Sequence, residues 1–235
     1  MNAAGILIGG AAGFAKRTPL SPSSQAFFKV ALGAFTVFYG LRLTLISFGG
    51  SFLHILKQLF VIVVALALGK LLGRLLRLQK TSNRFGQIAR ERIAAARPGD
   101  PRRASDGFNT CAILFCAAPL GILGAVHDGL SGYFYPLAVK AVMEGLATMG
   151  FISIFGWGVM MSALPVFAVQ GTITLACEHF LRPFLETHGL IEPVNATGGL
   201  LIFCVSLIIF EIKKIEIADY YPSLAMAPLL SWALQ

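Results

Sequence analysis

Two short phrases of this sequence place a carboxylate directly before a glycine in apolar surroundings. The first is Ala125-Val126-His127-Asp128-Gly129-Leu130; sixteen residues on comes Ala141-Val142-Met143-Glu144-Gly145-Leu146. Lys140 stands one helical turn before Glu144, and Gln170-Gly171 lies in the apolar run that follows. A charged side chain deep in lipid costs roughly 2.5–3.5 kcal/mol even on a lenient insertion scale, so such groups turn toward a bundle interior or a water-filled cavity. Lys140 and Glu144 share a helix face and can pair with each other as a purely structural unit. Alternatively Asp128 neutralises Lys140 and leaves Glu144 to take up a proton or cation. Asp128, Lys140, Glu144 and Gln170 are therefore the candidate solute- or ion-binding residues. Gly129 and Gly145 leave room for a solute or for another helix to touch the backbone. Pro119 and Pro165 are expected to break the flanking helices and expose backbone dipoles, as in many transporters. Arg42, well inside an apolar run, either snorkels to the interface or faces an anionic group.

Other chemistry finds little support. His127, His179 and His188 form neither HExxH nor His-x-x-x-His, so no metal and no cofactor is expected. Cys111, Cys116, Cys177 and Cys204 sit in apolar runs without metal-type spacing and read as small buried hydrophobes. The Asp-Gly pair resembles that of lipid-headgroup transferases, but their further aspartates are missing. No nucleophile-plus-base set occurs, so the chain is not expected to be an enzyme.

The elements that must position these residues follow from composition. With 56% hydrophobic and 13% charged residues, against about half and a quarter in soluble domains, the 235-residue chain reads as all-α. The expected architecture is a polytopic transmembrane helical bundle of about seven to eight spans, some short or broken by Pro and Gly, forming one integral membrane domain over 1–235. Gly5, Gly9 and Gly13, at four-residue intervals, predict a close helix contact in a short first span. Lys16-Arg17 follow that span instead of preceding it, unlike a cleaved signal. Thr18–Ser24, with Pro19 and Pro22, predicts a turn. Further spans are expected at about 26–48, 52–75, 108–126, 133–152, 154–179 (bent at Pro165) and 196–212. His127–Gly132 is expected as a turn, and 222–235 as a tilted short span or a re-entrant half.

Residues 74–106 hold nine Lys and Arg against three acids, a net +6. They are expected to form a basic cytoplasmic loop or interfacial helix, capped by Thr81 or Ser82 and ended by Arg97-Pro98-Gly99. Its apolar side of Phe85, Ile88, Ala89 and Ile93 would lie on the bilayer, with anionic lipid as partner. No aromatic stacking platform accompanies the charge, and nucleic acid is not an expected partner. The positive-inside rule places 74–106, Lys16-Arg17 and Lys213-Lys214 in the cytoplasm, with the N-terminus and 181–195 outside.

Gly124–Leu130, Lys140, Glu144-Gly145, Gly156-Trp157-Gly158 to Ser162-Ala163, Gln170-Gly171, Gly198-Gly199, Ile212–Ile215 and Pro222 to Pro228 together resemble a known family. It is the uncharacterised bacterial inner-membrane family that includes YqgA and YdfK. The family pattern carries Asp where Glu144 stands and Asn where Asp219 stands. The resemblance implies a multi-pass plasma-membrane protein and brings no established activity. Two functions are expected: a transporter or channel for a small solute or ion, proton- or sodium-coupled, or a regulatory or scaffolding protein acting through its basic loop. Membrane lipids and a second copy of the chain are the other expected partners.

Overall fold

The computed structural model describes residues 1–16, 20–97 and 100–234. Arg17 and Pro19 of the first linker, and the Pro98-Gly99 stop, lie outside the described residues. The helices are α1 (Asn2–Lys16), α2 (Pro22–Ile46), α3 (Phe52–Leu75), α4 (Leu78–Ala95), α5 (Arg103–Ala117), α6 (Pro119–Ser131), α7 (Tyr135–Phe155), α8 (Ala163–Ala176), α9 (Arg182–Thr187), α10 (Ile191–Ile209) and α11 (Ser223–Ala233). The protein is all-α, and no strand occurs among the described residues. An apolar chain in lipid must satisfy its backbone internally, which helices do. Among the described residues four helices are long and apolar enough to cross a membrane, and α5 with α6, bent by 56°, supplies a fifth crossing if the pair is one span. Phe35, Phe38 and Leu45 on α2 and Phe60, Val63 and Leu71 on α3 are exposed, as suits faces turned to acyl chains.

Helix starts follow local chemistry. Ser21 accepts from the Ser24 amide at 3.2 Å, with Pro22 opening α2, and Ser51 accepts from the His54 amide at 3.4 Å at the start of α3. Gly132 and Gly156, at φ 66° and 72°, end α6 and α7 in a conformation that other residues adopt at a cost.

Small residues fix the helix directions. Gly5, Gly9 and Gly13 face Ala141, Gly145 and Met149 in ascending order, so α1 and α7 run parallel. Gly33 faces Phe210 and Gly40 faces Phe203, so α2 and α10 are antiparallel. Gly69 faces Ser223 and Gly73 faces Asp219, which sets α11 antiparallel to α3. Gly124 on Leu137 makes α6 and α7 antiparallel, while Gly121 on Gln170 and Gly129 on Thr174 make α6 and α8 parallel. These directions bring Lys29, Arg74, Arg103 and residues 211–216 to one end of the bundle. There Lys29 pairs with Glu211 at 2.7 Å and Arg74 with Glu216 at 3.4 Å. Arg103 donates to the Ser153 and Ile154 carbonyls, both at 2.5 Å, closing the last turn of α7.

Several boundaries differ from the sequence expectation. The chain turns at Gly156–Ser162, a 3-10 segment, and Pro165 sits in the first turn of α8. A proline there costs no helical hydrogen bond, so it opens the helix and does not bend it. His127 is not in a turn but inside α6, which continues to Ser131. α4 begins three residues before Thr81, so neither Thr81 nor Ser82 caps it. Arg77 precedes it in the left-handed region (φ 56°), and Asp219 caps it from a distance by accepting from the Gln79 amide at 2.8 Å. The apolar side of α4 packs largely on protein: Ala89 is buried, and Ile93 lies against the cluster of Ile6, Phe115, Phe155 and Val166. Phe85 is exposed.

Candidate polar centre in the bundle

The centre is built where α5 breaks into α6. Pro119 has no N–H, so the Phe115 carbonyl four residues earlier loses its helical donor. The Lys140 ammonium donates to that carbonyl at 3.0 Å. Gly121 makes the approach possible: a Cβ there would stand 2.3 Å from Lys140 Cε and 2.7 Å from Gln170 Nε2. One turn along α7, Glu144 closes on Lys140 as an ion pair. Lys140 and Glu144 are 2% and 4% exposed, which removes both charges from solvent. From α1, Asn2 donates through Nδ2 to Gln170 Oε1 at 3.2 Å. Helices α1, α5, α6, α7 and α8 thus meet around one pair of opposite charges.

Hydrogen-bonding capacity in the centre is not exhausted. Apart from its ion pair, Glu144 receives no hydrogen bond at either carboxylate oxygen among the described residues. Asn2 Oδ1 and Gln170 Nε2 are buried without partners as well. Two kinds of acceptor and one donor are therefore left beside a charge pair of zero net charge. Such atoms are individually costly, at about 1–3 kcal/mol each when unmatched.

The other expected site residues lie elsewhere. Asp128 is half-buried, and the charges near it are the Met1 ammonium and Glu178. Because α6 and α7 are antiparallel and Gly121 is level with Lys140, Asp128 stands level with the first residues of α7. Lys140 is two turns deeper, and the two do not pair. Gly129 and Gly145 serve helix packing. A Cβ at Gly129 would be 2.3 Å from the Thr174 carbonyl oxygen, and one at Gly145 would be 2.9 Å from that of Gly5. Arg42 does not face an anion among the described residues. It is exposed, with its guanidinium 5.2 Å from the Tyr135 ring and 6.0 Å from that of Tyr133. Tyr133 donates to the Tyr39 carbonyl at 2.8 Å, and burial pushes its phenol up to about 12.

His127 is fully buried. Its Nδ1 is 3.1 Å from Asn195 Oδ1, and its Nε2 occupies the place of a Gly198 side chain. Among the described residues no group of three or more His, Cys, Asp or Glu is placed to hold a metal ion. Sequence reasoning missed Asn2 and Phe115. A lone amide opening an apolar run gave a weak signal for Asn2. For Phe115 the signal was Pro119 four residues on.

The sequence model of the family described as "Protein of unknown function (DUF554)" matches residues 1–232, and the chain belongs to that family. It is similar to the uncharacterized protein YqgA of Escherichia coli (strain K12), 30% identical over 99% of this chain and 95% of the relative. It is also similar to the uncharacterized membrane protein YdfK of Bacillus subtilis (strain 168), 29% identical over 76% of this chain and 72% of the relative. No solved structure matches.

Proposed function

We propose that this member of a family of unknown function is a plasma-membrane transporter or channel for a small polar solute or ion, coupled to proton or sodium movement. Its centre is Lys140 and Glu144 with Gln170, Asn2 and the freed Phe115 carbonyl. One observation carries the reading: a fully buried charge pair at a helix break, ringed by polar atoms without partners. A pair kept only for packing gains most when every lone pair and proton is matched. A site that exchanges its occupant must leave donors and acceptors for it, and Glu144 Oε, Asn2 Oδ1 and Gln170 Nε2 meet that need. Broken helices at mid-membrane present carbonyls in the same way in known transporter architectures.

The end that gathers Lys29, Arg74, Arg103 and Lys213-Lys214 is cytoplasmic in this reading, since basic residues are retained on the inner side. Helix α4 then lies at the inner leaflet with Lys80, Arg84 and Arg90 exposed, available to anionic lipid.

Proteoliposomes with an entrapped pH-sensitive dye test the coupling. Under imposed proton and sodium gradients, and with a panel of small polar solutes, wild type is expected to move protons or sodium in a solute-dependent manner. Glu144→Gln keeps an acceptor for Lys140 but cannot exchange a proton, and is expected to slow that movement by a factor of ten or more. Equal rates for variant and wild type would overturn the assignment of Glu144.

A further inference from the structure

At the basic end, α3, α4, α10 and the segment 213–217 enclose a cavity of about 680 Å³. Its deeper wall is apolar, formed by Leu66 on α3 and Leu201, Cys204 and Leu207 on α10. Its mouth carries Lys70, Lys213, Lys214 and Glu216, with Gln79 and Asn83 of α4 bonded to each other beside them. Two chain reversals hold these walls in place. Arg77 turns α3 into α4 and Glu211 turns α10 into the 213–217 segment, both at positive φ (56° and 59°) without being glycine. Gln79 ties the reversals together: its amide donates to Asp219 Oδ1 at 2.8 Å, and its Oε1 accepts from the Ala218 amide at 3.1 Å.

Charge in the mouth is unbalanced. Glu216, the acid of this segment, pairs with Arg74, and Glu211 just before the segment pairs with Lys29. Among the described residues Lys213 and Lys214 have no acidic partner within 4.0 Å, and Lys70 rests on the Tyr220 ring at 5.0 Å. Three cations thus crown a hydrophobic slot at the basic end of the bundle.

We infer that this cavity is a binding site for one anionic glycerophospholipid, its phosphodiester held by Lys70, Lys213 and Lys214 and an acyl chain laid along Leu66, Leu201 and Leu207. Phosphate chemistry follows from the three lysines. The lipid source follows from the apolar wall, which a free phosphate leaves unused. The inference rests on the placement of α3 and α10 across the membrane, and not on transport. By tying α3 and α10 to the capped start of α4, a bound lipid fixes the basic end of the bundle.

Native mass spectrometry of the full chain in detergent, titrated with phosphatidylglycerol, phosphatidylcholine or inorganic phosphate, tests it. Phosphatidylglycerol is expected to be retained in preference to phosphatidylcholine, with one tight site. Lys70→Gln with Lys213→Gln and Lys214→Gln is expected to weaken that site about tenfold or more, because basic residues at the surface attract anionic lipid. Arg42→Gln with Lys57→Gln, which removes two exposed charges from the opposite end of the bundle, is expected to leave it within about twofold. Equal retention of the two lipids, equal loss in both variants, or displacement by millimolar phosphate would each overturn the inference. The Glu144→Gln protein should bind phosphatidylglycerol as wild type does, so failure of the transport reading and failure of this one are told apart.

Discussion

Asp128-Gly129 near the end of α6 and Glu144-Gly145 in the middle of α7 are carboxylate–glycine pairs in different surroundings. Both glycines do the same thing, letting a neighbouring backbone approach: Thr174 of α8 at Gly129, and Gly5 of α1 at Gly145. The carboxylates part company. Glu144 is almost wholly buried and ion-paired with Lys140; Asp128 is half-buried near the Met1 ammonium and Glu178. The difference comes from helix direction. α6 and α7 are antiparallel about the Gly121–Lys140 contact, so one step toward the end of α6 is a step away from Lys140. A repeated phrase on antiparallel helices does not form a repeated site.

The largest effect that tests this contrast comes from unpairing the centre. Glu144→Ala leaves Lys140 buried without its counter-charge and is expected to cost about 3–5 kcal/mol, the range for breaking a buried ion pair. Thermal unfolding in detergent measures it. Lys140→Met combined with Glu144→Leu is expected to recover most of that loss, because no charge is then left in the interior. The same double variant is expected to be inactive in proteoliposomes. A single variant within about 1 kcal/mol of wild type would mean that Lys140 finds other compensation, and the contrast with Asp128 would lose its basis.

Next in size are the glycines, where crowding decides the sign. At Gly9 an added Cβ would lie 2.0 Å from the Gly145 carbonyl oxygen, with the carbonyl carbon and Cα of Gly145 at 2.5 and 2.6 Å. Backbone cannot give way there, so Gly9→Ala is expected to cost about 1–3 kcal/mol, the usual range for overpacking. Gly129→Ala meets the Thr174 oxygen at 2.3 Å and Cys177 Cβ at 2.7 Å and belongs in the same range. Gly145→Ala meets only the Gly5 oxygen closely, at 2.9 Å. The gain of about 1 kcal/mol from replacing glycine inside a helix offsets much of that contact. Its net effect is expected to stay within about 1 kcal/mol of wild type. Equal melting points for Gly9→Ala and Gly145→Ala would contradict the α1–α7 geometry.

The parts of this arrangement that were legible in the sequence are those set by composition and spacing. An apolar chain must be helical in lipid, the four-residue glycine spacing on α1 announced a close contact, and Phe52–Leu75 forms the helix its hydropathy indicates. Partners were not legible, because a stripe of small residues says that some backbone approaches without saying which. Pro165 and Pro119 look equivalent in sequence, and each opens a helix, yet Pro119 also interrupts α5 and frees the Phe115 carbonyl. The difference depends on whether four helical residues precede the proline, which the turn at Gly156–Ser162 decides. Likewise the left-handed Arg77 and the capping of α4 by Asp219 depend on segments far apart in the chain. Asn at position 219 would accept the same amide hydrogen.

The smallest effect is the sharpest discriminator. Asp128→Asn keeps the shape of the side chain and removes its charge. Attraction to the Met1 ammonium and repulsion from Glu178 are lost together, and because the group is half-exposed each is screened. The variant is therefore expected to melt within about 0.5 kcal/mol of wild type. Since Asp128 stands two turns from Lys140 in the bundle, gradient-driven movement in proteoliposomes should also remain within about twofold of wild type, against the tenfold or greater loss expected for Glu144→Gln. If Asp128→Asn instead slows movement as much as Glu144→Gln, both carboxylates serve one permeation path. The working cycle would then have to include a second arrangement of α6 and α7, in which Asp128 moves toward Lys140.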